Sequence, residues 1–385
     1  MKKSLQITGL VLALIFASLY LTDYKYILKG IGNTYLRGHT TAFLTDYKYF
    51  DNDTIFAAQQ AQAWPKHIKY GSLQLPETVQ DYHKKTQTVA YAIIQNDSLI
   101  YEQYAKDFGP TSKTNSFSMV KSMVSAMLGK AIMEGAISGL DQKAIDFIPE
   151  LQGPYANTLT VGDLAAMASG LQWSEKYYSP FSVTAASYYI EDLGKLLLKQ
   201  PIIEQPNNAF KYLSGSTQLL GMAIEKATGE KLADYLSSRF WQPMGTQEDA
   251  LWQMDSAEKG LVKAYCCLAT NALDFARFGK LYKDHGMWNG TRILDSTFVA
   301  QSLQPKYDNG PEYGYGWWLE NYKGFRSFMM RGHLGQYVIV LPEIDVIIVR
   351  LGHLKGDAIA NNPFTEDIYV YMDAALDLLG YAAKN

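Results

Sequence analysis

The sequence predicts an α+β fold: an antiparallel sheet flanked by helices, with an inserted, mostly helical region. Three observations predict it. β-rich runs cluster at the two ends of the chain, and helical patterns dominate between them. The 385 residues are 48% hydrophobic against 19% charged, which is enough apolar material for a sizeable core and excludes a mainly disordered chain.

The elements are taken in chain order. Met1-Lys2-Lys3 precedes an apolar run from Leu5 to Leu21, broken only by Gln6, Thr8, Gly9, Ser18 and Tyr20. Such a run approaches the roughly 20 residues that span a bilayer. No A-x-A-like cleavage site stands near Ala17-Ser18-Leu19, so residues 1–22 read as a retained membrane anchor, with a cleaved signal segment as the alternative. Lys2 and Lys3 flank one side, and Lys25, Lys29 and Arg37 the other, so the charges do not fix an orientation. A short N-terminal anchor with no later span is expected to place the domain that follows outside the cytoplasm, in the periplasm or exported. Residues 23–74 read as a connector with little periodicity. The hexapeptide Leu-Thr-Asp-Tyr-Lys-Tyr occurs twice, at 21–26 and 44–49, and two copies make no solenoid. The domain proper is expected from 75 to 382, with its helical region at about 140–300.

Val89 to Ile94 and Leu99 to Tyr104 are strand-like runs joined by Asn96-Asp97-Ser98, a hairpin signal. Helical patterns start at Phe117. Thr160-Val-Gly-Asp163 reads as a capping box and Gly170 as a helix stop. Thr217 to Thr228 and Asn271 to Asp284 are further helices, ending near Gly229 and Gly286. Strands return at Tyr315–Glu320, Phe325–Arg331, Tyr337–Leu341 and Val346–Leu351, and Thr365–Leu379 is a closing amphipathic helix.

Composition narrows the function. The net charge is −3 and the 35 Lys+Arg are scattered, which argues against nucleic acid as a partner. The two cysteines are neighbours, Cys266 and Cys267, so no disulfide framework or cysteine-rich zinc site is available. A bond between adjacent cysteines closes a strained ring, and they are expected as unpaired small hydrophobes. The six histidines show no metal-ligand spacing, so no metal and no cofactor are expected. Neither G-x-S-x-G nor G-x-x-x-x-G-K-[ST] occurs, which removes the nucleophile-elbow hydrolases and P-loop enzymes.

The chemistry concentrates at Ser118-Met-Val-Lys121. Serine and lysine three apart lie on one helix face, within reach of each other. The tetrad alone is weak: 23 serines and 28 lysines predict roughly two chance occurrences, and the other is Ser256-Ala-Glu-Lys259. Context separates them. Ser256 lies in a charged, solvated stretch. Ser118 opens the apolar run Phe117–Gly135, whose polar residues Ser118, Lys121, Ser122 and Ser125 share one stripe. A buried lysine needs a purpose, and desolvation lowers its pKa into the range of a base.

Phe117-Ser-Met-Val-Lys-Ser122 resembles the active-serine motif of the serine β-lactamase and penicillin-recognising superfamily, most of all its class C-related esterases, peptidases and 6-aminohexanoate-dimer hydrolases. Gly139-Leu-Asp141, Phe147-Ile-Pro-Glu150, Leu159-Thr-Val-Gly-Asp-Leu164 and Ala168-Ser-Gly-Leu171 resemble the family's next segments. Tyr212-Leu-Ser-Gly-Ser216 with Leu219-Leu-Gly221 and Ile224-Glu-Lys-Ala-Thr-Gly229 resembles the tyrosine block. Asp274-Phe-Ala-Arg-Phe-Gly279, Asn289-Gly-Thr-Arg-Ile-Leu294, Tyr315-Gly-Trp-Trp-Leu319 and Gly332-His-Leu-Gly-Gln336 complete a collinear match over about 75–382.

The resemblance implies a β-lactamase/transpeptidase-like fold and a set of roles. Ser118 is the expected nucleophile, Lys121 its proton partner, and Tyr212 the second member of the base system. The backbone N–H groups of Ser118 and Gln336 are the expected oxyanion donors. His333, Ser214 and Gly335 would line the substrate site. The aromatic cluster of Trp173, Tyr177, Tyr178, Tyr188 and Tyr189, with Trp317 and Trp318, suggests an aromatic-lined site for an extended or apolar acyl chain. Two departures bear on substrate: Y-L-S replaces Y-x-N at 212–214, and H-L-G replaces K-T-G at 333–335. Without the lysine cation, efficient β-lactam hydrolysis is not expected. The expected function is hydrolysis of a small-molecule amide or ester. The alternatives are a membrane-tethered peptide- or glycan-binding module that has lost catalysis, and a cell-wall D,D-peptidase.

Overall fold

The computed structural model of the protein describes residues 2–382; Met1 of the expected anchor and residues 383–385 lie outside them. An apolar helix α1 (Lys2–Tyr20) leads into α2 (Lys25–Asn33), and β1 (Asn52–Ile55) comes next. Then come α3 (Glu77–Lys85), the hairpin β2 (Thr88–Gln95) and β3 (Ser98–Tyr104), and the short β4 (Thr114–Asn115). A 3₁₀ turn at Phe117–Met119 opens the central helix α4 (Val120–Met133). The middle of the chain holds α5 (Val161–Ala165), α6 (Val183–Tyr189), α7 (Leu193–Leu198), α8 (Ser214–Thr228) and α9 (Leu232–Leu236). It continues with β5 (Ala250–Gln253), β6 (Leu268–Thr270), α10 (Ala272–Lys283), a small hairpin of β7 (Met287–Trp288) and β8 (Thr291–Arg292), and α11 (Ser296–Ser302). The chain closes with β9 (Trp318–Tyr322), β10 (Phe325–Gly332), β11 (Gln336–Leu341), β12 (Val346–Gly352) and α12 (Glu366–Leu379).

The strands of the two chain ends meet as expected. The main sheet runs β3-β2-β12-β11-β10-β9 with every neighbour antiparallel. Its central strands are covered on both faces, which is why they read as near-continuous apolar runs. Ala92, Val338, Val340, Ile347 and Val349 face the large core beneath α4 and α10, whereas Tyr91, Ile93, Ile339 and Ile348 face α12 through Ile368, Tyr371 and Met372.

The structure adds a second sheet that the sequence did not announce, ordered β1-β5-β6-β4. Its strands have two to four residues each, too short for an alternation pattern to register. The same sheet corrects the reading of 23–74 as a connector. β1 pairs with β5, Leu44 and Ile55 are fully buried, and the Trp64 indole N–H donates to the Leu273 carbonyl at 3.0 Å. Single buried anchors between turns leave no periodicity to find.

Local expectations divide similarly. The Thr160 capping box is present, with Thr160 Oγ1 accepting from Asp163 N at 3.1 Å. The helix it opens stops at Ala165, so Gly170 is not its end. Gly170 has φ +67°, and an added Cβ would collide with the Glu204 carbonyl oxygen. The strand expected from Tyr315 begins only at Trp318, because the 315–316 carbonyls are taken by α4. Ser122 Oγ donates to Gly316 O and Ser125 Oγ to Tyr315 O, the latter at 2.7 Å.

The Asp274-Phe-Ala-Arg277 motif is structural. The Arg277 guanidinium and the Asp274 carboxylate are both buried and joined at 2.8 Å, and Arg277 also donates to the Met244 carbonyl at 2.7 Å. Removing one partner leaves an uncompensated buried charge, at a cost of about 3–5 kcal/mol. Arg277→Met is expected to lower denaturant stability by that amount, measured by equilibrium unfolding of the full chain.

Candidate active site

Three segments converge at the N-terminus of α4. The first is the 116–121 turn itself. Lys121, only 3% exposed, donates from Nζ to Ser118 Oγ at 2.8 Å and to the Tyr265 carbonyl at 2.8 Å. Burial pushes the ammonium down to about 8, and the Glu175 carboxylate works weakly against this. Serine and a lysine able to be neutral near physiological pH are therefore in direct contact.

The second segment is the β10–β11 turn, which packs on the 117–119 turn. Gly332 permits the approach: a Cβ there would collide with the Ser116 carbonyl oxygen. Gln336 is fully buried and its side chain is spent on the scaffold. Nε2 donates to the carbonyls of His333 and Gly352, and Oε1 accepts from Gly352 N at 3.0 Å. That pins the turn to β12 and fixes the direction of the Gln336 backbone. The third segment is Leu213 with the start of α8, which brings the Tyr212 ring to 5.1 Å from Lys121 Nζ. Burial raises Tyr212 above the ordinary phenol range, partly offset by the Ser118 hydroxyl, so it is a phenol rather than a phenolate at neutral pH. Tyr212, expected as the second member of the base system, is therefore protonated at neutral pH, and Lys121 is the group of the pair that burial brings toward neutrality.

The cleft over Ser118 is lined by Phe117, Tyr177, Ser214, Tyr265, Cys266 and His333 among others. His333 stacks on Tyr177 at 5.9 Å and meets Phe117 edge-on at 5.5 Å. Burial, with a smaller contribution from Lys355, lowers His333 to about 4, so this position is uncharged at pH 7.

Other expectations do not reach the cleft. Trp317 is fully buried against Tyr282 and Phe328 and belongs to the core. Trp173 is buried under α8, where an added Cβ at Gly215 would come within 2.7 Å of its ring. Gly335 shapes the turn: its φ is +83°, and its carbonyl accepts from Arg350 Nη1 at 2.7 Å. The cysteines are also corrected. Cys266 and Cys267 are joined as a disulfide, and Cys267 turns through a left-handed conformation at φ +75° that lets adjacent residues close the ring.

Sequence reasoning missed three residues. Glu175 accepts from the backbone N and the Oγ of Ser214 and from the Tyr177 hydroxyl, tying the aromatic loop to the start of α8. It is the one carboxylate of the 173–189 aromatic stretch, a signal that was present in the sequence. Asp46 is buried in the second copy of the hexapeptide and accepts from Asn115 Nδ2 at 2.9 Å, Tyr188 OH at 2.6 Å and Gln253 Nε2 at 3.0 Å. Asn115 in turn accepts from Phe117 N at 2.8 Å, holding Phe117 at φ +44°. That conformation costs a non-glycine residue about 1–2 kcal/mol and sets the direction of the adjoining Ser118.

A serine paired with a buried lysine at the head of a central helix, on an antiparallel sheet, defines the serine hydrolases that use lysine in place of histidine. Comparison with known proteins agrees. The family profile named Beta-lactamase matches residues 75–367, and the chain belongs to that family. The 6-aminohexanoate-dimer hydrolase of Paenarthrobacter ureafaciens is 25% identical over 291 residues, 70% of this chain and 73% of that protein. Penicillin-binding protein 4 of Amycolatopsis lactamdurans is 22% identical over 288 residues, 64% of this chain and 73% of that one. Among solved structures, a Bacillus anthracis protein provisionally assigned as a 6-aminohexanoate-dimer hydrolase superposes with TM-score 0.69 at 21% identity, covering 94% of this chain and 96% of that one. The D-amino acid amidase of Ochrobactrum anthropi SV3 gives TM-score 0.58 at 16% identity, over 79% of this chain and 97% of that one.

The lysine sets a pH dependence. Only its neutral form can accept a proton, and that form accumulates as pH rises through about 8. kcat/KM for an uncharged ester is expected to climb with pH and level off above that midpoint. A pH–rate profile checks it, and Lys121→Arg should abolish the limb together with the activity.

Proposed function

We propose that the protein hydrolyses amide or ester bonds of a small substrate through an acyl-enzyme on Ser118. The observation that carries this reading is the 2.8 Å contact between Lys121 Nζ and Ser118 Oγ in a desolvated site. Neutral Lys121 takes the Ser118 proton as Oγ attacks the carbonyl carbon. The backbone N–H groups of Ser118 and Gln336 receive the developing oxyanion. As the C–N or C–O bond breaks, the Tyr212 phenol passes its proton to the leaving group and is reprotonated from Lys121. Water then enters by the reverse proton route and releases the acid. The amide bonds acted on by the 6-aminohexanoate-dimer hydrolase and the D-amino acid amidase support an amide-capable site.

His333 supports a substrate other than a β-lactam or a cell-wall peptide, since a substrate carboxylate would meet a neutral imidazole there. The N-terminal helix supports membrane attachment with the catalytic domain outside the cytoplasm. Its window Lys3–Tyr20 has mean hydropathy 1.5 and no burial.

Ser118→Ala is expected to abolish turnover and the adduct that a fluorophosphonate leaves on the wild type, read by intact-mass spectrometry. Tyr212→Phe should cost about 10²–10⁴ in kcat. The double variant should be no worse than Ser118→Ala, because the two residues serve one proton path.

A further inference from the structure

One wall of the cleft comes from outside the matched family region. Tyr26, Ile27, Gly30, Ile31, Thr34 and Tyr35 line it, all N-terminal to residue 75. This wall is fastened to the opposite one. Tyr26 OH donates to the Pro180 carbonyl at 2.9 Å, Thr34 Oγ1 and Tyr189 OH are hydrogen-bonded at 2.7 Å, and Gly30 lies so near the Tyr189 ring that an added Cβ would be 3.2 Å from it. The result is a built groove between α2 and α6 that ends at Ser118.

The groove is uncharged. None of its described lining residues is Asp, Glu, Lys or Arg. Two carboxylates stand behind the lining and both are engaged, Glu175 by Ser214 and Tyr177 and Asp46 by Asn115, Tyr188 and Gln253, while Lys121 donates to Ser118 and Tyr265. An ammonium or carboxylate on a substrate would therefore be desolvated without a partner, whereas a hydrocarbon chain would lose only water. The outer end opens among exposed Ile31, Tyr35 and Tyr178. Beside it, Tyr24 packs edge-on against exposed Phe181 at 5.9 Å, directly after α1. The apolar rim thus continues into the one described helix long and apolar enough to cross a bilayer.

We infer that the groove between α2 and α6 binds the acyl chain of a long-chain amphiphile drawn from the bilayer that holds α1. The chain runs along the α2 wall past Tyr177 and Tyr178 toward the exposed rim, with its carbonyl at Ser118. The acyl C–O or C–N bond breaks, the headgroup alcohol or amine leaves with a proton, and water supplies the hydroxyl of the released fatty acid. This inference rests on the serine-hydrolase reading proposed for Ser118.

The test uses the full chain reconstituted in phosphatidylcholine vesicles, with p-nitrophenyl acetate, butyrate, octanoate and palmitate as probes. Each buried methylene is worth about fourfold in binding, so kcat/KM should rise at least about tenfold from butyrate to octanoate. Ile31→Arg, at the exposed rim, and Ile27→Trp, inside the groove, should flatten the series. The palmitate rate should follow its mole fraction in the vesicle. Acetate hydrolysis with a flat or falling series in the wild type would overturn the inference and leave the hydrolase reading intact. A chain preference untouched by both variants would overturn the groove, and a palmitate rate set by bulk concentration would overturn the bilayer source. Absence of hydrolysis of every ester, with no fluorophosphonate adduct on Ser118, would sink the hydrolase reading itself.

Discussion

A lysine ammonium buried at the head of an apolar helix is the constraint around which this molecule is arranged. Taking a charge out of water is costly unless it is hydrogen-bonded, or unless its pKa falls until it sheds the proton. Lys121 does both, with two acceptors at 2.8 Å and a pKa brought down to about 8. Each acceptor has to be held by something else. The Tyr265 carbonyl sits in the 263–268 turn, where the Trp252 indole N–H donates to the Lys263 and Cys266 carbonyls at 3.0 Å and the Cys266–Cys267 disulfide closes the tip. Ser118 is held through Ser116, whose backbone N donates to the Leu268 carbonyl at 2.7 Å while its Oγ accepts from Leu268 N. The small second sheet thus fastens Lys121 to Ser118.

A second buried charge stabilises the same turn from the far side. Asp46 gathers donors from β4, α6 and β5 and transmits their placement through Asn115 to the backbone of Phe117. Close by, Lys263 is buried over the Phe50 ring at 3.8 Å, and burial drives its pKa well down. Both groups take their environment from the N-terminal 43–55 stretch. That stretch lies before residues 75–367, which the family profile matches, yet it supports the turn that carries Ser118.

How much of this was legible depended on the range of the interaction. Patterns within one element read correctly: the β2–β3 hairpin, the Thr160 capping box, the polar stripe of α4. The S-x-x-K pair was legible because one helical turn places both residues together without help from the fold. What escaped needed distant partners. Asp46 looks like any solvated aspartate until Asn115, Tyr188 and Gln253 close over it, and β4, β5 and β6 are too short to carry a pattern. Trp317 and Trp173 failed for the opposite reason. Their aromatic character suggested a cleft, but a large ring fills a core as readily as it lines a pocket, and sequence proximity to a motif does not say where the ring packs.

The substitution of His333 for a lysine then acquires a physical meaning. A cation at that position would have to be solvated or paired, and the cleft offers neither, being lined by aromatic rings and hydroxyls. A neutral imidazole stacked between Tyr177 and Phe117 is compatible with such walls, and a lysine is not. The uncharged position at His333 and the apolar α2 wall are therefore physically consistent with each other. With α2 forming one wall of an uncharged cleft, a charge placed inside it would be desolvated without a partner. The same wall follows directly on α1, the one described helix long and apolar enough to cross a bilayer.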